Sequence, residues 1–141
     1  MPEPARPVIY WDASAVLSVL IRDAHSTSAS AMARRALTHL ISTLAYAEVI
    51  AVIARLERNR DVATLLADAA RELLRDGPWR RLVLQPDWAE IDELASNWPL
   101  RGADLWHLAT AMTLRRELPE VRMATFDSRL GAAAGELGLA L

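Results

Sequence analysis

Four carboxylates are set where they could do chemistry: Asp12, Glu48, Asp104 and Asp127. Asp12 directly follows Val8-Ile9-Tyr10-Trp11, a short apolar run rich in strand formers, and Asp127 directly follows a second such run from Arg122 to Phe126. Glu48 is surrounded by Leu44, Ala45, Ala47, Val49, Ile50 and Val52. Its i+4 neighbour is Val52, so the helix offers it no salt bridge, and Arg55 shares its stripe only about two turns on, roughly 10 Å at 1.5 Å per residue. An unpaired carboxylate in such surroundings costs several kcal/mol or takes up a proton. A bound cation removes that cost.

Carboxylates within a few Å repel one another unless a cation joins them. Oxygen ligands, with no Cys in the chain and no nearby pair of His, point to a hard ion, Mg²⁺ or Mn²⁺, rather than zinc. Such ions keep most of their water and leave positions open for phosphate oxygens. The matching chemistry is phosphoester cleavage, in which the metal lowers the pKa of a bound water and neutralises developing charge.

The elements that must gather these acids are legible in the periodicity. Ala13 to Ile21 reads as a helix with Val16, Leu17 and Leu20 on one face, and Ser26 to Ala36 as a second. Leu40-Ile41 is a weak strand, followed by a long helix from Thr43 to Arg58 with Ser42 or Thr43 placed to cap it. Asp61 to Arg75 carries Val62, Leu65, Leu66, Ala69 and Leu73, the stripe of an amphipathic helix, which Gly77-Pro78 stops. Leu82-Val83-Leu84 is a third strand. Asp87 and Glu90 have capping-box spacing, ahead of a face lined by Trp88, Ile91, Leu94, Ala95 and Trp98 and ended by Pro99. Ala103 to Glu117 and Ser128 to Leu137 are the last helices, with the fourth strand between them and an edge strand at Leu139 to Leu141. Short apolar strands alternating with helices specify an α/β domain with a parallel sheet covered on both faces.

In such a sheet, ligands bind outside the carboxyl ends of the strands. Asp12 and Asp127 follow strands there, and Glu48 lies about a turn into a helix leaving that edge. Asp104 opens a helix that runs antiparallel to the strands, so its start returns to the same rim. Each Asp also has an innocent reading as a helix N-cap. Ser14 serves either as a cap or as a support for Asp12; no His is placed to make it a nucleophile. His107, one turn after Asp104, reads as a packed, hydrogen-bonded core histidine before it reads as a ligand. Arg101 and Arg129 flank the rim and are the arginines best placed for phosphates. Trp79, Trp88, Trp98 and Trp106 read as core or dimer contacts.

The 141 residues suit a single domain over 1–141, with no cysteine staple and a net charge of −2. Lys is absent, which removes P-loop chemistry, and the five glycines are too scattered for a nucleotide-binding loop. A receiver domain would also need a Lys, and a haloacid-dehalogenase-type phosphatase would need an acid at the position of Ser14. No apolar run is long enough to span a membrane, and Met1 to Pro7 has no signal-peptide stretch, so a cytoplasmic protein is expected.

The segments V-I-Y-W-D-A-S-A (8–15), T-L-A-Y-A-E-V (43–49), L-R-G-A-D-L-W-H-L-A-T-A (100–111) and A-T-F-D-S-R-L (124–130) resemble the four acidic motifs of PIN-domain nucleases. The third is most like that of the VapC-type toxins of toxin–antitoxin pairs. The resemblance is weaker over 22–42 and 59–98. It implies a sheet of four to five strands in the order 3-2-1-4-5 and Mg²⁺- or Mn²⁺-dependent endoribonuclease activity on RNA. It makes Asp12, Glu48, Asp104 and Asp127 the metal-binding acids, with Ser14 and Thr125 as supporting hydroxyls. It further implies a homodimer and a VapB-like antitoxin that blocks the site. Beside this stand a PIN-like module that binds RNA or protein without cutting, and a housekeeping RNA-processing nuclease.

Overall fold

The computed structural model describes Met1 and residues 6–141; residues 2–5, part of the stretch inspected for a leader, lie outside it. In chain order the elements are β1 (Val8–Trp11), α1 (Ala13–Leu20), α2 (Ser26–Ala33), β2 (Thr38–Ser42), α3 (Thr43–Arg58), α4 (Thr64–Asp76), β3 (Trp79–Leu82), α5 (Trp88–Asn97), α6 (Gly102–Glu117), β4 (Val121–Ala124) and α7 (Ser128–Glu136). The four strands are parallel in the order β3-β2-β1-β4. The expected fifth strand is reduced to one parallel bridge, Met123 to Ala140, and a 2.8 Å bond from Met123 N–H to the Leu139 carbonyl. Gly138, at φ 75°, ends α7 in a Schellman turn, with Leu139 N–H on the Ala134 carbonyl, and so lays the tail beside β4.

Because side chains alternate along a strand, β1 feeds two cores. Val8 and Tyr10 join Leu94, Leu108, Leu114, Met123 and Leu130 on the side of α5, α6 and α7. Ile9 and Trp11 join Val16, Ile41, Val49, Ile53 and Leu74 on the side of α1, α3 and α4. All four residues of β1 are buried, as a central parallel strand requires.

Three expectations need correcting. Strand β3 starts at Trp79, not Leu82, and Val83 is 92% exposed; β3 is an edge strand, so its outward Arg80 and Arg81 hide it from a search for apolar runs. The inward face of α4 is Ala67, Ala70 and Leu74, while Leu65, Leu66 and Leu73 of the expected stripe are exposed. The small alanines let α4 pack closely, and Leu66, Ala69 and Leu73 line an open apolar groove with Val62, Leu20 and Ile21. In α5, Trp88 is exposed, and Asp87 makes no side-chain cap bond. Asp87 and Glu90 both bind Arg116 instead, tying α5 to the end of α6.

Candidate active site

Asp12 sits at the carboxyl end of β1 as the N-cap of α1, 3% exposed. Its Oδ1 accepts from Ala15 N–H at 2.9 Å and from the Ser14 hydroxyl at 2.7 Å, and its Oδ2 accepts from the Thr125 hydroxyl. Ser14 Oγ in turn accepts from Phe126 N–H at 2.9 Å, and Thr125 Oγ1 from Asp127 N–H at 3.1 Å. Both hydroxyls therefore stitch Asp12 to the loop leaving β4. Burial raises the Asp12 carboxyl above its ordinary range; the bonds from Thr125, Ala15 and Ser14 and the nearby His107 work the other way.

Asp127 is the N-cap of α7, its Oδ1 accepting from Leu130 N–H at 2.8 Å. Asp104 differs. It lies inside the first turn of α6, capped by no side chain, and it accepts no hydrogen bond among the described residues. The N-cap reading thus holds for Asp12 and Asp127 and fails for Asp104. Partial burial raises the Asp104 carboxyl, and the negative charges of Asp127, Asp12 and Glu48 raise it further, against a smaller opposing effect of His107. Asp104 therefore lies in the field of the other three acids. Asp104 and Asp127 border a cleft of about 250 Å³ with Leu100, Arg101, Ser128 and Arg129, which brings both flanking arginines to the rim.

Glu48 has a partner after all. Its Oε1 lies 2.6 Å from Nε2 of His107, which is 1% exposed, and the Glu48 side chain is 33% exposed. The expectation of an unpaired carboxylate fails because its partner comes from another helix. His107 is, as expected, a packed and hydrogen-bonded core histidine. Two hydroxyls complete this arrangement, Tyr10 and Ser42. Ser42 was legible as the cap of α3, where it accepts from Ala45 N–H; Tyr10 passed for one more apolar strand residue. His25, whose ring stacks on Phe126 at 4.3 Å, had no sequence signal.

The donor set suits a hard divalent ion. Every candidate donor is a carboxylate oxygen, and Glu48 Oε2, Asp127 Oδ2 and both Asp104 oxygens accept no hydrogen bond among the described residues. As the side chains stand, no three His, Asp or Glu among the described residues are gathered closely enough to hold an ion. Holding an ion would therefore require side-chain rotation, for which Asp104, without a hydrogen-bond partner among the described residues, is free. Among the described residues no helix is long and apolar enough to cross a membrane.

Comparison with known proteins gives the family and the fold. The PIN domain family model matches residues 9–136. Ribonuclease VapC45 and Ribonuclease VapC49, from two strains of Mycobacterium tuberculosis, are each 35% identical over 137 residues, covering 94% of this chain and 92% of theirs. Among solved structures, Mycobacterium tuberculosis VapC20, described as a Sarcin-Ricin loop cleaving toxin, superposes with a TM-score of 0.55 at 20% identity over 89% of this chain and 94% of its own. PAE2754 from Pyrobaculum aerophilum superposes with a TM-score of 0.59 at 17% identity, over 90% and 79%. The two structures share the fold; the family model and the 35% identical relatives carry the assignment. The chain belongs to the PIN-domain family.

Proposed function

We propose that this chain, as one PIN-like domain over 1–141, is a divalent-metal-dependent endoribonuclease and the toxin of a VapBC-like pair. The observation that carries the reading is Asp104, an acid without a hydrogen-bond partner among the described residues, placed in the combined field of Asp127, Asp12 and Glu48. A fold gains no stability from such crowding; a site that takes up a cation does. RNA as the substrate rests on the names of the relatives, both ribonucleases. The homodimer, the VapB-like antitoxin and the cytoplasmic location extend the same kinship.

The four acids would hold Mg²⁺ or Mn²⁺, which when bound neutralises charge developing on a phosphodiester and makes water a better nucleophile. Each has a distinct part. Asp12, fixed by three donors, is the rigid anchor. Asp127 keeps one oxygen for the ion while the other caps α7. Glu48 presents Oε2 while His107 occupies Oε1. Asp104 turns to close the set. Arg101 and Arg129, on the same cleft, attract the phosphates of the substrate and orient the strand across the acids. A binding module that does not cut draws support from the spread of the acids as they stand, yet it has no use for Asp104.

The test is cleavage of a mixed panel of structured and single-stranded RNAs with Mg²⁺, with Mn²⁺ and with EDTA, beside Asp104→Asn prepared identically. Cleavage that needs metal and is lost in the variant supports the proposal. Cleavage that survives EDTA, or no cleavage by a protein that also binds no divalent ion, overturns it.

A further inference from the structure

Behind Glu48 the structure closes a ring of hydrogen bonds that begins and ends on α3. Ala45 N–H donates to the Ser42 hydroxyl at 3.1 Å, Ser42 Oγ lies 2.9 Å from the Tyr10 hydroxyl, and that hydroxyl lies 2.6 Å from His107 Nδ1. His107 Nε2 then reaches Glu48 Oε1 at 2.6 Å, back on α3. Ser42, Tyr10 and His107 are at most 1% exposed, so the ring is sealed from water everywhere except at Glu48.

We propose that His107 is a positioning residue, held in one orientation by Tyr10 and Ser42, which locks Glu48 Oε1 so that Oε2 faces the divalent ion; this rests on the metal-dependent reading above. The connectivity is the first argument. Tyr10 lies two residues before Asp12, His107 one turn after Asp104, and Ser42 caps the helix that carries Glu48. Ordering the ring therefore orders three of the four acids relative to one another. A second argument is anchorage. Asp12 and Asp127 are held by bonds to the helices they cap, whereas the bond to His107 is the anchor of Glu48, a longer side chain with more rotamers to restrain.

The hydrogen count is the third. A carboxylate only accepts, so His107 Nε2 carries the hydrogen that faces Glu48. At the other nitrogen, Nδ1 lies 2.6 Å from the Tyr10 hydroxyl, which reaches Ser42 Oγ at 2.9 Å, so the ring is held at both ends. This is how a partner behind a metal ligand holds that ligand's geometry.

The experiment measures Mn²⁺ binding to the full chain by electron paramagnetic resonance, with the metal alone as probe, for wild type, His107→Leu, His107→Gln and Tyr10→Phe. Thermal melts establish that each is folded. A Gln amide nitrogen reaches the place of Nε2 and can donate to Glu48; Leu fills the space and cannot. We expect His107→Leu to bind Mn²⁺ roughly 10-fold or more weakly, His107→Gln to recover most of the loss, and Tyr10→Phe to fall between. Nitrogen NMR of the His107 ring reports the hydrogen on Nε2 in wild type, facing the Glu48 carboxylate; a ring without it overturns the proposal. Wild-type affinity in His107→Leu, or no recovery in His107→Gln, overturns the proposal while leaving the metal site standing. Where His107→Leu does not fold, wild-type affinity in Tyr10→Phe overturns it equally. Wild-type protein that binds no Mn²⁺ removes the metal reading itself, and the proposal with it.

Discussion

Replacing Thr125 by Val removes one hydroxyl and keeps the shape. In the native protein that hydroxyl donates to Asp12 Oδ2 and accepts from Asp127 N–H at 3.1 Å. Asp12 is left with Ser14 and Ala15 as donors. A hydrogen bond to a charged group contributes about 1.5–3 kcal/mol. Its loss raises the Asp12 carboxyl, on top of the upward push of burial. A carboxylate must be ionised to bind a divalent ion. The acid limb of metal binding and RNA cleavage should therefore move up by about 1–2 pH units, with the high-pH plateau little changed. Stability follows the same sign. Below the folded pKa of Asp12 the acid is protonated in both proteins, and the substitution costs only the pH-independent loss of the acceptor for Asp127 N–H. The cost grows as pH rises from the wild-type folded pKa to that of the variant, then levels about 1.5–3 kcal/mol above that baseline. Mn²⁺ titrations and thermal melts across pH measure both effects, with Thr125→Ser as the hydroxyl-bearing control. An acid limb unmoved in Thr125→Val, or moved equally in Thr125→Ser, refutes the reasoning.

Asp104→Asn removes a charge from a like-charged cluster and should stabilise the metal-free protein at neutral pH by about 0.5–1 kcal/mol, the low end for relieved charge crowding because the site is partly solvated; a melting point a few degrees higher is the readout. Burial raises Asp12, and burial together with the neighbouring acids raises Asp104, above their ordinary 3.8. The stabilising contribution is thus complete below that value and is lost as pH rises through the folded pKa values, so metal-free stability should decline along that limb and recover when Mn²⁺ is added. Leu74→Ala, buried at 3% exposure, should cost about 2–5 kcal/mol. Leu65→Ala, at 79%, should stay within about 0.5 kcal/mol, and a reversal in denaturant melts would contradict the placement of α4. Arg101→Ala and Arg129→Ala should each raise KM for RNA more than they lower kcat and flatten the salt dependence of binding by about 0.7 in log–log slope; an unchanged slope removes these arginines from the phosphate path.

What could be read from the sequence follows from what is local. Asp12 after a four-residue apolar run, Ser42 at the head of α3 and Asp127 at the head of α7 are set by neighbours within a few residues, and the structure places each accordingly. The turn of α4 about its axis was not legible. Periodicity favours the face with the largest apolar residues, whereas close packing selected the face of Ala67 and Ala70. Strand β3 was displaced for a related reason: at the sheet edge, outward arginines cost nothing. The partner of Glu48 was hidden because 59 residues separate it from His107. Tyr10 was hidden because a buried Tyr in a strand looks the same in sequence whether its hydroxyl is idle or engaged. The charge field at Asp104 is likewise a product of topology, the sum over acids from three other places in the chain.

The most direct measurement of the central claim is anomalous X-ray scattering from crystals of the protein grown with Mn²⁺. The account predicts a manganese peak among Asp12, Glu48, Asp104 and Asp127, with Glu48 bound through Oε2 and Oε1 still on His107. A peak elsewhere, or none beside these acids at a concentration that supports RNA cleavage, would contradict it.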